Sequence, residues 1–155
     1  MTPAAFTLVD ADYGADLEHL RAVRETVFVQ EQRVPLALEW DEQDPQARHV
    51  LALNSDGQPI GTGRLTGDGR IGRMAVLAAW RGRGVGSALL LHLVELARAK
   101  GMACVELHAQ VSAIDFYAGH GFHAWGEPFD EAGIQHRHMR QVLAAQGSSS
   151  PRPDA

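Results

Sequence analysis

Residues 71–87 read Ile-Gly-Arg-Met-Ala-Val-Leu-Ala-Ala-Trp-Arg-Gly-Arg-Gly-Val-Gly-Ser, and they narrow the fold more than any other stretch of the chain. An apolar strand pattern reaches Leu77, a short turn follows, and Arg81-Gly82-Arg83-Gly84-Val85-Gly86 opens a long apolar helix pattern. Glycine at alternate positions keeps side chains away, so backbone N–H groups can approach a ligand closely. The helix start adds unpaired N–H donors and the positive end of the macrodipole. With two flanking arginines, the segment predicts a seat for a diphosphate or similar anion.

Charge supports a small partner. The net charge is −5, yet Arg64, Arg70, Arg73, Arg81 and Arg83 lie close together with Asp68 as the only acid among them. The positive charge is local, and the broad basic face of a nucleic-acid binder is missing. A solvated Gly/Arg connection remains the bland reading. A Walker loop requires Gly-Lys-Ser/Thr, which does not occur. A Rossmann fingerprint requires a different last glycine spacing and a place after the first strand, and neither is met.

At 155 residues and 45% apolar content the chain predicts one domain over residues 1–143, with a disordered Gln/Gly/Ser/Pro-rich tail over 144–155. The single cysteine, Cys104, excludes an internal disulfide and reads as a buried thiol. No stretch has the length of a membrane span and no signal segment opens the chain, so a cytoplasmic location without membrane contact is expected. No metal is expected: the histidines lack a helical His-x-x-x-His pair with a nearby acid, and His136 with His138 offers only a strand-borne pair.

Hydrophobic spacing predicts strands at 6–9, 49–53, 59–65, 71–77 and 102–109, with a closing pair at 122–125 and 136–143 around an irregular 126–133 loop. Helices are predicted from Asp16, as cap, to the region before Pro35, then at 83–100 and 111–120. The order β-α-β-β-β-α-β-α-β-β implies a mixed α/β fold, with a mostly antiparallel sheet and helices on both faces. Arg81, Gly84 and Gly86 match Arg/Gln-x-x-Gly-x-Gly/Ala, and Phe116-Tyr117-Ala-Gly-His-Gly-Phe122 is similar to a Phe-Tyr-x-x-x-Gly-Phe segment. On these motifs residues 5–143 resemble the GNAT superfamily of acetyl-CoA-dependent N-acetyltransferases. Val27-Phe-Val-Gln-Glu-Gln32 with Glu39-Trp-Asp41 resembles a bacterial subgroup of it.

That resemblance implies transfer of an acetyl group from acetyl-CoA, as co-substrate, to a small-molecule or peptide primary amine by direct attack. It implies cofactor contacts from Arg81, Gly82, Arg83, Gly84, Val85, Gly86 and Ser87. It also implies backbone contacts from Met74, Ala75 and Val76, with Val76 donating to the thioester oxygen. Tyr117 is implied as the acid near the sulfur; a core aromatic is the plain alternative, with Phe116 the more natural core residue. An amine of pKa near 10.4 is neutral in only about one molecule in two thousand at pH 7, so a base must assist. Period-two alternation puts Glu106 and His108 on one face of their strand, which makes both catalytic candidates. Glu31 and Glu39 are further candidates. The acidic run 39–44 is expected either to attract a cationic amine or to be a solvated loop. His136 is expected to edge the acceptor pocket or to lie exposed on an edge strand. A non-catalytic acyl-CoA-binding module is the rival function, and C-terminal edge strands offer a homodimer.

Overall fold

A computed structural model describes residues 5–143; the predicted tail lies outside them. The chain begins with β1 (Phe6–Ala11), α1 (Leu17–Arg24), a π-helical segment (Glu25–Glu31) and α2 (Leu36–Glu39). Three strands follow, β2 (Arg48–Asn54), β3 (Pro59–Leu65) and β4 (Ile71–Val76), and then α3 (Val85–Ala99). β5 (Cys104–Gln110), α4 (Ile114–Ala118), β6 (His123–Glu131) and β7 (Ile134–Val142) complete it.

The mixed sheet is built in two antiparallel pieces, ordered β1-β2-β3-β4 and β5-β7-β6. One parallel bridge, Arg70 to Glu106, joins them, with the Glu106 N–H donating to the Gly69 carbonyl at 2.9 Å. Past that bridge β4 has no ladder partner on its outer edge among the described residues. Helices cover both faces. Val85, Leu89 and Leu93 of α3 pack over Gly61 and Gly63, where an added Cβ would come within 3.0 Å of Val85 and 2.8 Å of Leu93. Val23 of α1 and Val27 of the π-helical segment pack against Ala75 instead.

Several local expectations change. Asp16 caps no helical N–H; its carboxylate accepts the Asp12 N–H at 2.8 Å. The first helix does not run on as α-helix but widens into π-helix, with the Gln32 N–H reaching the Val27 carbonyl at 2.9 Å. The predicted 126–133 loop is part of β6, which carries a bulge between Trp125 and Phe129 and turns tightly at Ala132-Gly133. Both turn residues have positive φ, 54° and 81°, the geometry that matches strand twist. The 111–120 helix shrinks to a 3₁₀ turn followed by α4. β7 is consequently the central strand of its sheet, so His136 is not on an edge. Phe116 is not core either; it is 36% exposed and lies beside Gly86.

Candidate active site

The parting of β4 from β5 opens a cavity of about 520 Å³. Gly72, Arg73 and Met74 line it from β4, and Leu107, His108 and Gln110 from β5. Tyr117, Glu131, His136, Glu39 and Phe28 are among the other residues of its walls. A bulge shapes the β4 side: Arg73 and Met74 together oppose Gly63, and Arg73 takes φ 51°, which a non-glycine residue rarely adopts.

Arg73 holds that conformation within a closed ring of six charges. Arg24 pairs with Glu39 at 2.6 Å and with Asp44 at 2.7 Å. Arg64 pairs with Asp44 at 3.0 Å and Asp41 at 2.8 Å. Arg73 closes the circuit to Asp41 at 3.2 Å and Glu39 at 3.6 Å. Each arginine touches two acids and each acid two arginines, so the ring is electrically balanced. Trp40 lies under Arg24, 3.9 Å from its ring centroid to the guanidinium carbon. Burial raises the Asp44 carboxyl, but hydrogen bonds from Arg24 and the Asp41 N–H, with the charges of Arg24 and Arg64, outweigh it and hold the group at about 2. Burial instead prevails at Glu39 and pushes its carboxyl upward against Arg24 and Arg73. The acidic run is therefore neither a solvated loop nor a free attractant for cations. Glu39 faces the cavity, but its carboxylate is already bound.

Beyond Val76, Gly82 and Gly84 sit at φ 76° and 86°, left-handed positions that favour glycine. Their turn leaves the N–H groups of residues 82–87 without a hydrogen-bond partner among the described residues; Ala88 is the first to donate, to the Gly84 carbonyl. Arg83 flanks this run, its guanidinium 5.2 Å from the Trp80 ring, with no carboxylate partner among the described residues. Arg81 is arranged otherwise. Both its terminal nitrogens bind Glu31 at 2.7 Å and its Nε donates to the Val76 carbonyl at 2.9 Å. Those hydrogen bonds raise Arg81 and lower Glu31 from their ordinary values. Glu31 is thus held at the turn rather than lining the cavity, and Arg81 braces β4 rather than offering a free cation. The five clustered arginines divide among four tasks: Arg64 and Arg73 belong to the ring, Arg70 bonds His108 of β5, Arg81 braces β4 and Arg83 flanks the turn.

The Leu77 N–H donates to Ile60 of β3 at 2.9 Å, so by strand alternation the Val76 N–H points the other way, into the gap. Ala75 is buried in the sheet and Val85 on the face of α3 turned to the sheet, leaving only their backbones for contacts. The Ser87 hydroxyl is shared with His120 Nε2 at 2.9 Å.

Across the cavity stands His108. Arg70 Nη2 donates to its Nε2, and an arginine can only donate, which places the ring proton on Nδ1. Nδ1–H in turn meets Glu131 Oε1 at 2.8 Å. The hydrogen bond to His108 leads the effects that lower the Glu131 carboxyl. His136, 7% exposed, also lines the cavity, its Nδ1 2.7 Å from the Ile134 carbonyl. The Tyr117 hydroxyl has no hydrogen-bond partner among the described residues, and burial pushes its phenol up to about 12. Glu106 is the candidate left out: its side chain is exposed and does not line the cavity. Sequence reasoning missed Glu131 and the Arg24 ring, and it named Arg70 only as one of the clustered arginines. Gly133, a turn residue between two runs of strand-forming residues, was the available signal for Glu131.

Residues 13–143 match the family described as an acetyltransferase (GNAT) domain. The Bacillus subtilis protein YjcF, an uncharacterized N-acetyltransferase, is 37% identical over 121 residues, which is 76% of this chain and 86% of YjcF. An acyl-CoA N-acyltransferase from Pseudomonas aeruginosa superposes with TM-score 0.79 at 29% identity, covering 89% of this chain and all of that one. Escherichia coli ElaA superposes with TM-score 0.78 at 28% identity, over 88% and 99%. The chain belongs to the GNAT acetyltransferase family. No helix among the described residues is long and apolar enough to cross a membrane.

Proposed function

We propose that the protein moves an acetyl group from acetyl-CoA to a primary amine by direct attack. The observation that carries this reading is the free outer edge of β4. It leads from the unpartnered N–H run at 82–87 to a cavity holding Tyr117, His108 and Glu131. The N–H run with Arg83 suits a diphosphate, and a free strand edge suits the amide-bearing arm of the carrier, as an added strand would pair. The amine nitrogen bonds the carbonyl carbon as the carbon–sulfur bond breaks, and sulfur leaves as a thiolate. The Val76 N–H is placed to stabilise charge growing on the carbonyl oxygen. Tyr117 serves the departing sulfur. A phenol near 12 stays protonated at neutral pH, and full transfer to a thiolate of ordinary pKa, about 8.5, is uphill. Its contribution is the hydrogen bond that strengthens as charge reaches sulfur. Once Arg70 leaves His108 Nε2, the acceptor's proton passes to that nitrogen, and Glu131 at Nδ1–H would stabilise the imidazolium.

The test is thiol release from acetyl-CoA across a panel of primary amines. Release that depends on an amine, with matching acetylated product by mass, is the expected result. Raised melting temperature with CoA but no release with any amine would instead favour the non-catalytic binding module.

A further inference from the structure

One wall of the cavity carries more positive donors than the protein itself answers. Arg64, 4% exposed, lines the cavity with its Nε–H buried and without a partner among the described residues. Arg70 lines it too, and forms no ion pair with any carboxylate among the described residues. Gly72 is the cross-strand partner of Arg64 and lies two residues from Arg70, so all three positions share one face of the sheet. A Cβ built on Gly72 would meet nothing within 4 Å, which leaves open space at the position between the two arginines on that face. Around it the formal charges balance: Arg64, Arg70 and Arg73 against Glu39, Asp41 and Glu131.

Resting on the acetyltransferase reading, we propose that the acceptor is a zwitterionic amine of the amino-acid type, whose carboxylate is read by Arg70 over Gly72, with the buried Arg64 charge beside it. Arginine offers only donors, so the group it answers must supply acceptor oxygens. A carboxylate does so with one negative charge. A phosphate would bring a second charge towards Glu39, Asp41 and Glu131, and a polyamine would bring cations to Arg70. An acceptor of zero net charge matches a cavity whose own charges cancel. A carboxylate that draws Arg70 aside also uncovers the His108 Nε2 lone pair, so recognition of the acceptor and exposure of its base are one event.

Free amino acids, tested singly beside their carboxamides, separate the possibilities. Thiol release from acetyl-CoA should favour at least one amino acid over its amide by about tenfold or more in kcat/KM. Arg70→Gln, a change at an exposed side chain, should reduce that preference about tenfold. Gly72→Val, pointing into open space, should raise the KM for the amino acid while leaving the melting temperature in place. Amides used as well as acids, or a preference that survives Arg70→Gln, would overturn the proposal and leave the acetyltransferase reading standing. If no amine releases thiol, that reading fails and the proposal is decided by melting temperature alone. A rise with amino acids but not with amides, lost in Arg70→Gln, supports the carboxylate site at Arg70 without an acceptor role; no rise with either overturns it.

Discussion

Replacing Tyr117 with phenylalanine is expected to lower kcat by about 10²–10³, as for loss of one donor to developing charge, with little change in melting temperature. The hydroxyl bonds to no protein group among the described residues, so its removal leaves no orphaned partner. The ring keeps its edge contacts with Phe116 and Phe122, at centroid distances of 5.0 and 6.0 Å. What disappears is a proton-bearing oxygen beside the departing sulfur. Steady-state thiol release with the amine held saturating is the measurement. An unchanged kcat in a well-folded variant would remove Tyr117 from the chemistry and return it to the role of a core aromatic.

Breaking the charge ring is expected to have the largest effect on stability. Arg24→Met leaves Glu39 and Asp44 buried without their principal partner, and uncompensated charges of this kind cost about 3–5 kcal/mol. Chemical denaturation should read that loss directly, and a change under about 1 kcal/mol would contradict the ring's role. Acid should act on the same element. The folded Asp44 value of about 2 lies below the ordinary 3.8, so its contribution is complete above about pH 4 and disappears as pH falls towards 2. By linkage that shift amounts to roughly 2 kcal/mol. Glu39, raised by burial, runs in the opposite direction, since protonating it as pH falls relieves a desolvated charge. The ring's share of the acid limb should therefore follow Asp44, on top of losses at Glu31 and Glu131, and the limb should be shallower in Arg24→Met. A wild-type profile flat from pH 4 to 2 would exclude this assignment.

The parts of this molecule written in local sequence were legible from it. The glycine turn and the spacing of Val85, Leu89 and Leu93 define α3 because both are properties of neighbours along the chain. The hairpin at Asn54–Gly57 was legible for the same reason; the Asn54 side chain accepts the Asp56 and Gln58 N–H groups, each at 2.9 Å. Long-range pairings were not legible. Arg24 meets acids 15 and 20 residues away, and the sequence showed only an acidic run and a helix bearing Arg21 and Arg24, with nothing to say which of the two turns inward. His108 was singled out by strand alternation, but Glu131, 23 residues further on, reaches it only after β5, β7 and β6 align. Arg81 and Glu31 were each assigned to a ligand. Their mutual pairing across 50 residues is what three-dimensional structure adds.

The account depends on the turn at 82–87 gripping the diphosphate of the carrier, and calorimetric titration of CoA tests that most directly. The wild-type protein should evolve binding heat, and Arg83→Glu should bind about tenfold more weakly, as expected for losing one charge-assisted contact. No heat with the wild type, or the same affinity in Arg83→Glu, would contradict it.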